Sequence, residues 1–267
     1  MRLPQELVET VIDCFASDRQ MLAVCSLVAK AWLARSRHHL FNEVALNKER
    51  AGKWHFAIRP GPGGVSSLVR TLKLRQGFGY KWLGTKFLDA LSDHLSSFQN
   101  VENLSVTWFD LSDFEPGSLT HHFAHYGSSL RSLHLSFLTA NYSALISFLH
   151  LFPNLEDLLI HTPDLCDDNP PLRMPGKAST SHGLLRLLSF DSVSSPFISH
   201  LAGSNSRFSS ISVYNCEFSY SFLLTNLLEA SSSSLHHLEL EYVTFSRDLL
   251  VSIPHVALIN FCPSRMP

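Results

Sequence analysis

The chain has 267 residues, of which 45% are hydrophobic and 16% charged, with a formal net charge of −2 and 15 histidines. That is enough apolar material for an extended core plus a small extra unit. The charge balance excludes a basic nucleic-acid binder, and no run of 18 apolar residues offers a membrane span. Five cysteines, Cys14, Cys25, Cys166, Cys216 and Cys262, are odd in number, widely spread and lack a CxxC pair, as expected of thiols in a reducing compartment. Arg2 is followed by an amphipathic stretch with Glu6, Glu9 and Asp13 rather than by a signal peptide, so the chain reads as soluble and intracellular, cytoplasmic or nuclear.

Residues 1–46 predict three short helices. Pro4 suits a first helical turn, and Leu7, Val11, Ile12 and Phe15 recur at helical spacing. Ser17-Asp18 ends that helix and supplies a cap for the next, whose apolar side is Met21, Leu22, Val24 and Cys25. A third apolar run takes in Leu27, Val28, Ala31, Trp32, Leu33, Leu40 and Phe41, with Lys30, Arg35, Arg37 and His38 opposite. A unit of this size is short of core and needs a neighbour or a partner, and it has no metal-ligand spacing. Residues 47–64 form a linker marked by Arg59-Pro-Gly-Pro-Gly-Gly64, which lacks the GK[ST] ending of a phosphate loop.

The elements Leu3-Pro4-x-Glu6-Leu7, Ile12, Asp18, Leu22, Cys25-Ser-Leu-Val28, Trp32, Ser36-Arg37 and Leu40-Phe41 stand in an order that resembles an F-box of the variety common in fungal proteins. Ala29-Lys30 occupy positions where many members carry Ser-Arg. The resemblance implies binding to the Skp-family adaptor of an SCF-type cullin–RING ubiquitin ligase. Carried over residue by residue, the implied adaptor contacts are Leu3, Pro4, Leu7, Ile12, Leu22, Cys25, Val28 and Trp32.

Residues 65–267 repeat one pattern: apolar, two residues, apolar, one residue, apolar. It begins at Val69, Val101, Leu130, Leu155, Leu185, Phe208, Leu235 and Val256, with starts 32, 29, 25, 30, 23, 27 and 21 residues apart. This is the period of a leucine-rich repeat, in which a short strand turns its apolar residues inward and the chain returns along the outside. Return segments such as Lys86–Phe98 carry apolar residues at helical spacing. The expected fold is therefore α+β: a three-helix head followed by an α/β leucine-rich-repeat solenoid, or horseshoe, of about eight short parallel strands. The repeats resemble the irregular repeats of F-box proteins, although the usual asparagine-ladder position is mostly missing. Thr162–Gly183, with four prolines and three aspartates, reads as an inserted loop, either a solvated connection or a substrate-contacting flap. The chain stops six residues after Phe261, which predicts either an exposed edge strand or a missing cap.

No pattern predicts covalent chemistry or a cofactor. His121 and His125 lie one helical turn apart, a metal-compatible spacing, but no carboxylate or cysteine supports them nearby. No nucleophile motif or metalloprotease motif is present. The strand residues that alternate with the apolar ones would line a concave surface: Lys73, Arg75, Ser105, Trp108, His134, His161, Asp191, Tyr214, Glu239 and Glu241. Of these, Lys73, Arg75, His134, His161, Tyr214, Glu239 and Glu241 are the candidate substrate contacts, basic near the head and acidic at the far end. The same residues equally fit ordinary solvated strand faces. The expected role is a non-enzymatic substrate receptor that holds a protein for ubiquitination. The alternative is a repeat scaffold or adaptor-binding protein that acts outside any ligase.

Overall fold

The computed structural model describes residues 4–47, 64–75, 85–111, 114, 118–161, 164–166, 187–191, 201, 208–214, 217–218, 221–241, 244–245 and 260–261. It mixes helix and strand around a parallel sheet. Three helices come first: α1 (Gln5–Asp13), α2 (Arg19–Val28) and α3 (Lys30–Asn42). Pro4 sits at the N-cap of α1, one position ahead of the first turn. Asp18 caps α2, its Oδ1 accepting from the backbone N–H of Gln20 and Met21 at 3.0 Å each. Between α2 and α3 a single extended residue, Ala29, breaks the helix. The head has its own small core of Val8, Ile12 and Leu22, with Phe15, Trp32 and Leu40 packed against it. Electrostatics does the rest of the joining. Asp13 of α1 accepts from Arg35 Nε and Nη2 of α3 at 2.6 and 2.7 Å and pairs with His39 Nε2 at 2.7 Å. The Arg35 guanidinium first, and His39 second, hold the Asp13 carboxyl far below the usual carboxylate range.

α3 runs directly into β1 (Glu43–Leu46), which the sequence reading placed inside the head. β1 pairs in parallel with β2 (Thr71–Arg75), Val44 facing Leu72 and Leu46 facing Leu74. The sheet therefore begins before the expected boundary at 46/47, not at Val65. β2 pairs with β3 (Asn103–Asp110), β3 with β4 (Ser132–Asn141), and β4 with β5 (Asp157–His161). The order continues through β7 (Leu187–Asp191), β8 (Ser210–Tyr214), β10 (His237–Glu241) and β12 (Asn260–Phe261), which with β6 (Asp164–Cys166) makes ten strands among the described residues. All these pairings are parallel. β6 falls inside the expected Thr162–Gly183 loop, where Leu165 faces Ala140 and the segment lengthens the edge of β4; the rest of that loop, apart from these three residues, lies outside the described residues. A separate pair joins β9 (Glu217–Phe218) to β11 (Thr244–Phe245).

The strands form because their residues alternate apolar and polar, and the buried apolar members point to one side. Leu72, Leu74, Leu104, Val106, Leu133, Leu135, Leu158, Ile160, Ile211, Val213, Leu238 and Leu240 are buried in one continuous cluster. The same cluster takes the apolar faces of α4 (Thr85–Ser97) and α6 (Tyr142–Leu149) and of the turns around α5 (Ser118–Phe123), through Leu88, Leu91, Leu95, Phe123, Tyr126, Leu145 and Phe148. Helices thus cover the apolar side of the sheet; α7 (Ser221–Ser231) adds Leu227 and Leu228 further along.

Successive units are stitched by a recurring device just ahead of each strand. The Arg70 carbonyl accepts from the N–H of Glu102 and of Asn103, the Glu102 carbonyl from Arg131 and Ser132, and the Arg131 carbonyl from Glu156 and Asp157. Asparagines absent from the usual ladder position do the equivalent work one residue before the first apolar residue of a unit. Asn100 Nδ2 donates to the Ser67 carbonyl at 3.0 Å, and Asn154 Nδ2 to Ser128 at 3.1 Å. Helices are tied in the same way, the buried Tyr126 hydroxyl donating to the Leu95 carbonyl at 2.8 Å. At Gly127 the backbones approach so closely that a Cβ would lie 2.7 Å from the Leu151 carbonyl oxygen.

Two neighbouring strands break the alternation together. Trp108 has φ 62° and Phe137 φ 53°, both in the left-handed region. They occupy matching places, since Thr107 faces Ser136 before them and Phe109 faces Leu138 after them. The kink shifts the phase by one residue, so Phe109 and Leu138 turn inward where straight strands would point them out. Phe109 then packs edge-on against Phe114, Phe123 and Phe148 at ring separations of 5.6, 6.3 and 5.7 Å.

Candidate functional site

Two surfaces carry the residues that the sequence marks for recognition. The first is on the head. Leu3 lies outside the described residues. Pro4 and Leu7 are exposed, Leu7 to 53%, and so is Val28 of α2, to 60%. The remaining expected adaptor contacts are placed differently. Ile12 and Leu22 are fully buried and Cys25 is buried to within 4%, because they are the inward positions of α1 and α2. Trp32 packs on the same small core. Ile12 and Leu22 thus belong to the head's core, while Trp32 is only partly buried against it. In their place the helices expose Val11, Met21, Val24 and Leu27, the last to 86%. Leu7 and Val11 form one stripe along α1. Met21, Val24, Leu27 and Val28 form another along α2, at the three- and four-residue spacing that aligns side chains on one helix face. The helical spacing of the apolar residues was visible in the sequence; which of them turned outward was not.

The second surface is the open side of the sheet, away from the helices. Strand pairing sets its rows. One row runs Ala45, Lys73, Ser105, His134, Leu159. The next, two residues along, runs Arg75, Thr107, Ser136, His161. Further on, Asp191, Tyr214 and Glu241 lie side by side on β7, β8 and β10. Glu239 of β10 accepts from Ser212 Oγ at 3.2 Å. β2 carries Lys73 and Arg75 and β10 carries Glu239 and Glu241, and Glu43 of β1 adds a carboxylate beside the basic pair. Glu43 Oε2 binds Lys73 Nζ at 2.7 Å, which leaves Arg75 as the exposed fixed cation beside it.

His134 and His161 meet edge to face, ring centroids 5.3 Å apart, and His134 Nε2 is hydrogen-bonded to Ser136 Oγ at 2.8 Å. Burial pushes the His134 imidazole below its ordinary range, and His161, Arg75 and Lys73 push it the same way. Trp108 and Phe137 come directly after Thr107 and Ser136 of the second row, stacked nearly parallel at 4.2 Å, with Phe137 39% exposed.

His122 of α5 and His125 in the turn after it are engaged in contacts with α4. His122 is buried with Nε2 3.3 Å from Asp89 Oδ1 of α4, and burial pushes its imidazole down against the pull of Asp89. His125 Nε2 is 3.0 Å from the Leu95 carbonyl, which draws it away from any site shared with His121. Among the described residues no three His, Cys, Asp or Glu side chains are grouped to hold a metal ion, and no helix is long and apolar enough to cross a membrane.

No protein-family model matches the chain, and neither does any curated protein.

Proposed function

We propose that the chain is the substrate-receptor subunit of an SCF-type cullin–RING ubiquitin ligase, intracellular and without catalytic chemistry of its own. The observation that carries this reading is the outward apolar surface of the head. Six large apolar side chains, Leu7, Val11, Met21, Val24, Leu27 and Val28, are exposed on two helices whose own core holds three buried residues. An isolated unit gains nothing by exposing them; a docking partner does. Burying a fully exposed side chain of this kind is worth about 1.5–3 kcal/mol, so a handful suffices to anchor a stable interface. The F-box resemblance names that partner as a Skp-family adaptor, with a cullin bound through it.

The sheet supports the second half of the reading. Sequential parallel strands with helices returning along one side, and the same hydrogen-bonded stitch between consecutive units, fit an α/β leucine-rich-repeat horseshoe whose open face holds a protein substrate. The receptor's contribution is then proximity between that substrate and the ubiquitin-charged enzyme.

The test is co-purification with a Skp-family adaptor and a cullin, beside a Val24→Asp/Leu27→Asp variant. Both positions are exposed, so the variant keeps the fold, which a Trp32 substitution in the head core does not guarantee. A stoichiometric complex with cullin, lost in the variant, is the expected result. A complex with adaptor but no cullin supports the scaffold reading instead. No complex from a folded wild-type chain removes both.

A further inference from the structure

We propose that the open face of β2–β5 binds an extended acidic peptide bearing an aromatic side chain, its carboxylates against Arg75 and the His134–His161 pair, its ring on the Trp108–Phe137 step. The proposal rests on the receptor reading only in calling that peptide a substrate.

The aromatic step is the first observation. Outside the head, Phe137 is the one large apolar side chain that the described residues expose. It lies flat on Trp108, and both backbones adopt a conformation that costs a non-glycine residue roughly 1–3 kcal/mol. The inward turn of Phe109 and Leu138 accounts for the kink but not for the residues at it, since glycine takes this conformation at least cost. Two aromatic rings kept there, one of them exposed, form a flat apolar shelf at the end of a polar surface.

Charge is the second. On the middle two rows of β2–β5 the ionisable side chains are Lys73, Arg75, His134 and His161, with Ser105, Thr107, Ser136 and Leu159 between them. The carboxylates of those strands lie off these rows, Asp157 nearer the strand starts and Asp110 beyond the aromatic step. Glu43, on β1, is engaged by Lys73. A peptide laid across the strands meets a new row member about every 4.8 Å, close to the rise of one to two extended residues. Acidic residues along it would face Arg75 and the imidazoles while an aromatic one reaches the shelf.

The occupant is a carboxylate-bearing peptide in preference to other anions. A phosphate group favours clustered guanidinium forks, and this face has one arginine. Single-stranded nucleic acid also stacks on aromatic rings, but it needs a basic track along its backbone, and one of the two fixed cations here is already paired.

The experiment is fluorescence anisotropy with the full chain and a labelled short peptide in which glutamates flank one tryptophan. The comparison peptides carry glutamine or lysine for glutamate, alanine for tryptophan, or phosphoserine for glutamate. The expected result is saturable binding that weakens about tenfold or more in Arg75→Glu and in Phe137→Ala and that falls with salt. Arg75→Glu is also expected to favour the lysine peptide. Arg75 is exposed at a strand end, so its variant stays folded if Phe137→Ala does not. The proposal is overturned by absence of binding, by equal binding of the glutamine or lysine peptide to the wild type, or by variants that bind as the wild type does. Binding confined to the phosphoserine peptide, or to a single-stranded oligonucleotide, overturns it in favour of that ligand. Adaptor capture is measured on the same samples. Loss of peptide with adaptor retained isolates the open face, and loss of adaptor with peptide retained isolates the head.

Discussion

The head and the first strands of the sheet solve the same problem in opposite ways. From β1 to β5 every inward strand residue is buried, helices cover the apolar side, and consecutive units share backbone hydrogen bonds. The head buries Val8, Ile12 and Leu22 and leaves twice as many large apolar residues in water. One region closes its own core; the other leaves a face open. The difference teaches that apolar content alone does not locate an interface. What matters is the apolar surface left over after the local core is complete.

The sharpest way to break the comparison is to cut into each core by the same amount. Leu133→Ala in β4 and Leu22→Ala in α2 both remove a fully buried side chain and should each cost about 2–5 kcal/mol locally. Their reach should differ. Leu133 lies within a continuous cluster, so its loss should lower amide-exchange protection in β3, β4 and β5 together. Leu22 belongs to the separate small cluster, so its loss should expose α1–α3 amides while those of β3–β5 keep their protection. Equal loss in both regions from Leu22→Ala would mean that the two cores fold as one.

A smaller effect tests how tightly units abut. Gly127→Ala places a methyl group 2.7 Å from the Leu151 carbonyl oxygen and 3.1 Å from that of Ala124, and both neighbours are backbone. A cost of about 1–3 kcal/mol is expected from such overpacking. The glycine is required for close approach and not for a left-handed turn, since its φ is −53°. A variant as stable as the wild type in urea denaturation would show that the interunit spacing yields easily.

Acid separates the regions further. Burial lowers the imidazoles of His122, His125 and His134, so the folded sheet prefers them neutral. Their folded values lie below the unfolded one. The stability is therefore full above the ordinary histidine range near pH 6.5 and is lost as pH falls through it. The head's Asp13 is also depressed, but from a lower starting value, and its contribution persists until pH falls below about 4. The head has one such imidazole, His38, lowered by burial first, against three in the sheet region, so between about pH 7.5 and pH 5.5 the sheet should lose more protection. Glutamine at His122 and His125 should flatten that slope; a slope unchanged by those substitutions would assign the acid response elsewhere.

Much of the strand pattern was legible because alternation with period two leaves few choices. Leu72 and Leu74, Leu104 and Val106, Leu133 and Leu135 could only share a face. β1 was not legible. Val44-Ala45-Leu46 follows α3 without a turn residue, and alanine in the middle favours helix over strand. The kink at Trp108 and Phe137 was hidden because aromatic residues seldom take a left-handed conformation, so nothing in their identity signals it. On the head, spacing showed that α1 and α2 were amphipathic but could not rank Ile12 against Leu7, or Leu22 against Val24. Both members of each pair are apolar, and only the packing of α3 decides which side turns in. The open-face histidines were placed by alternation, but their contact with each other depends on strand stagger, which no local pattern specifies.

The smallest expected effect is the most informative about the head. Val24→Ser and Leu27→Ser remove apolar groups that face water, and surface changes of this kind usually stay within about 0.5 kcal/mol. The serine variants should therefore melt within error of the wild type, while adaptor binding, if the outward stripe is the interface, weakens by orders of magnitude. That combination separates a docking surface from a core more cleanly than any buried substitution can. Leu22→Ala loses binding too, but through unfolding of the helices that present the stripe. Should the serine variants instead destabilise the head as much as Leu22→Ala does, the exposed stripe already has a partner within the chain, and the contrast between closed sheet and open head disappears.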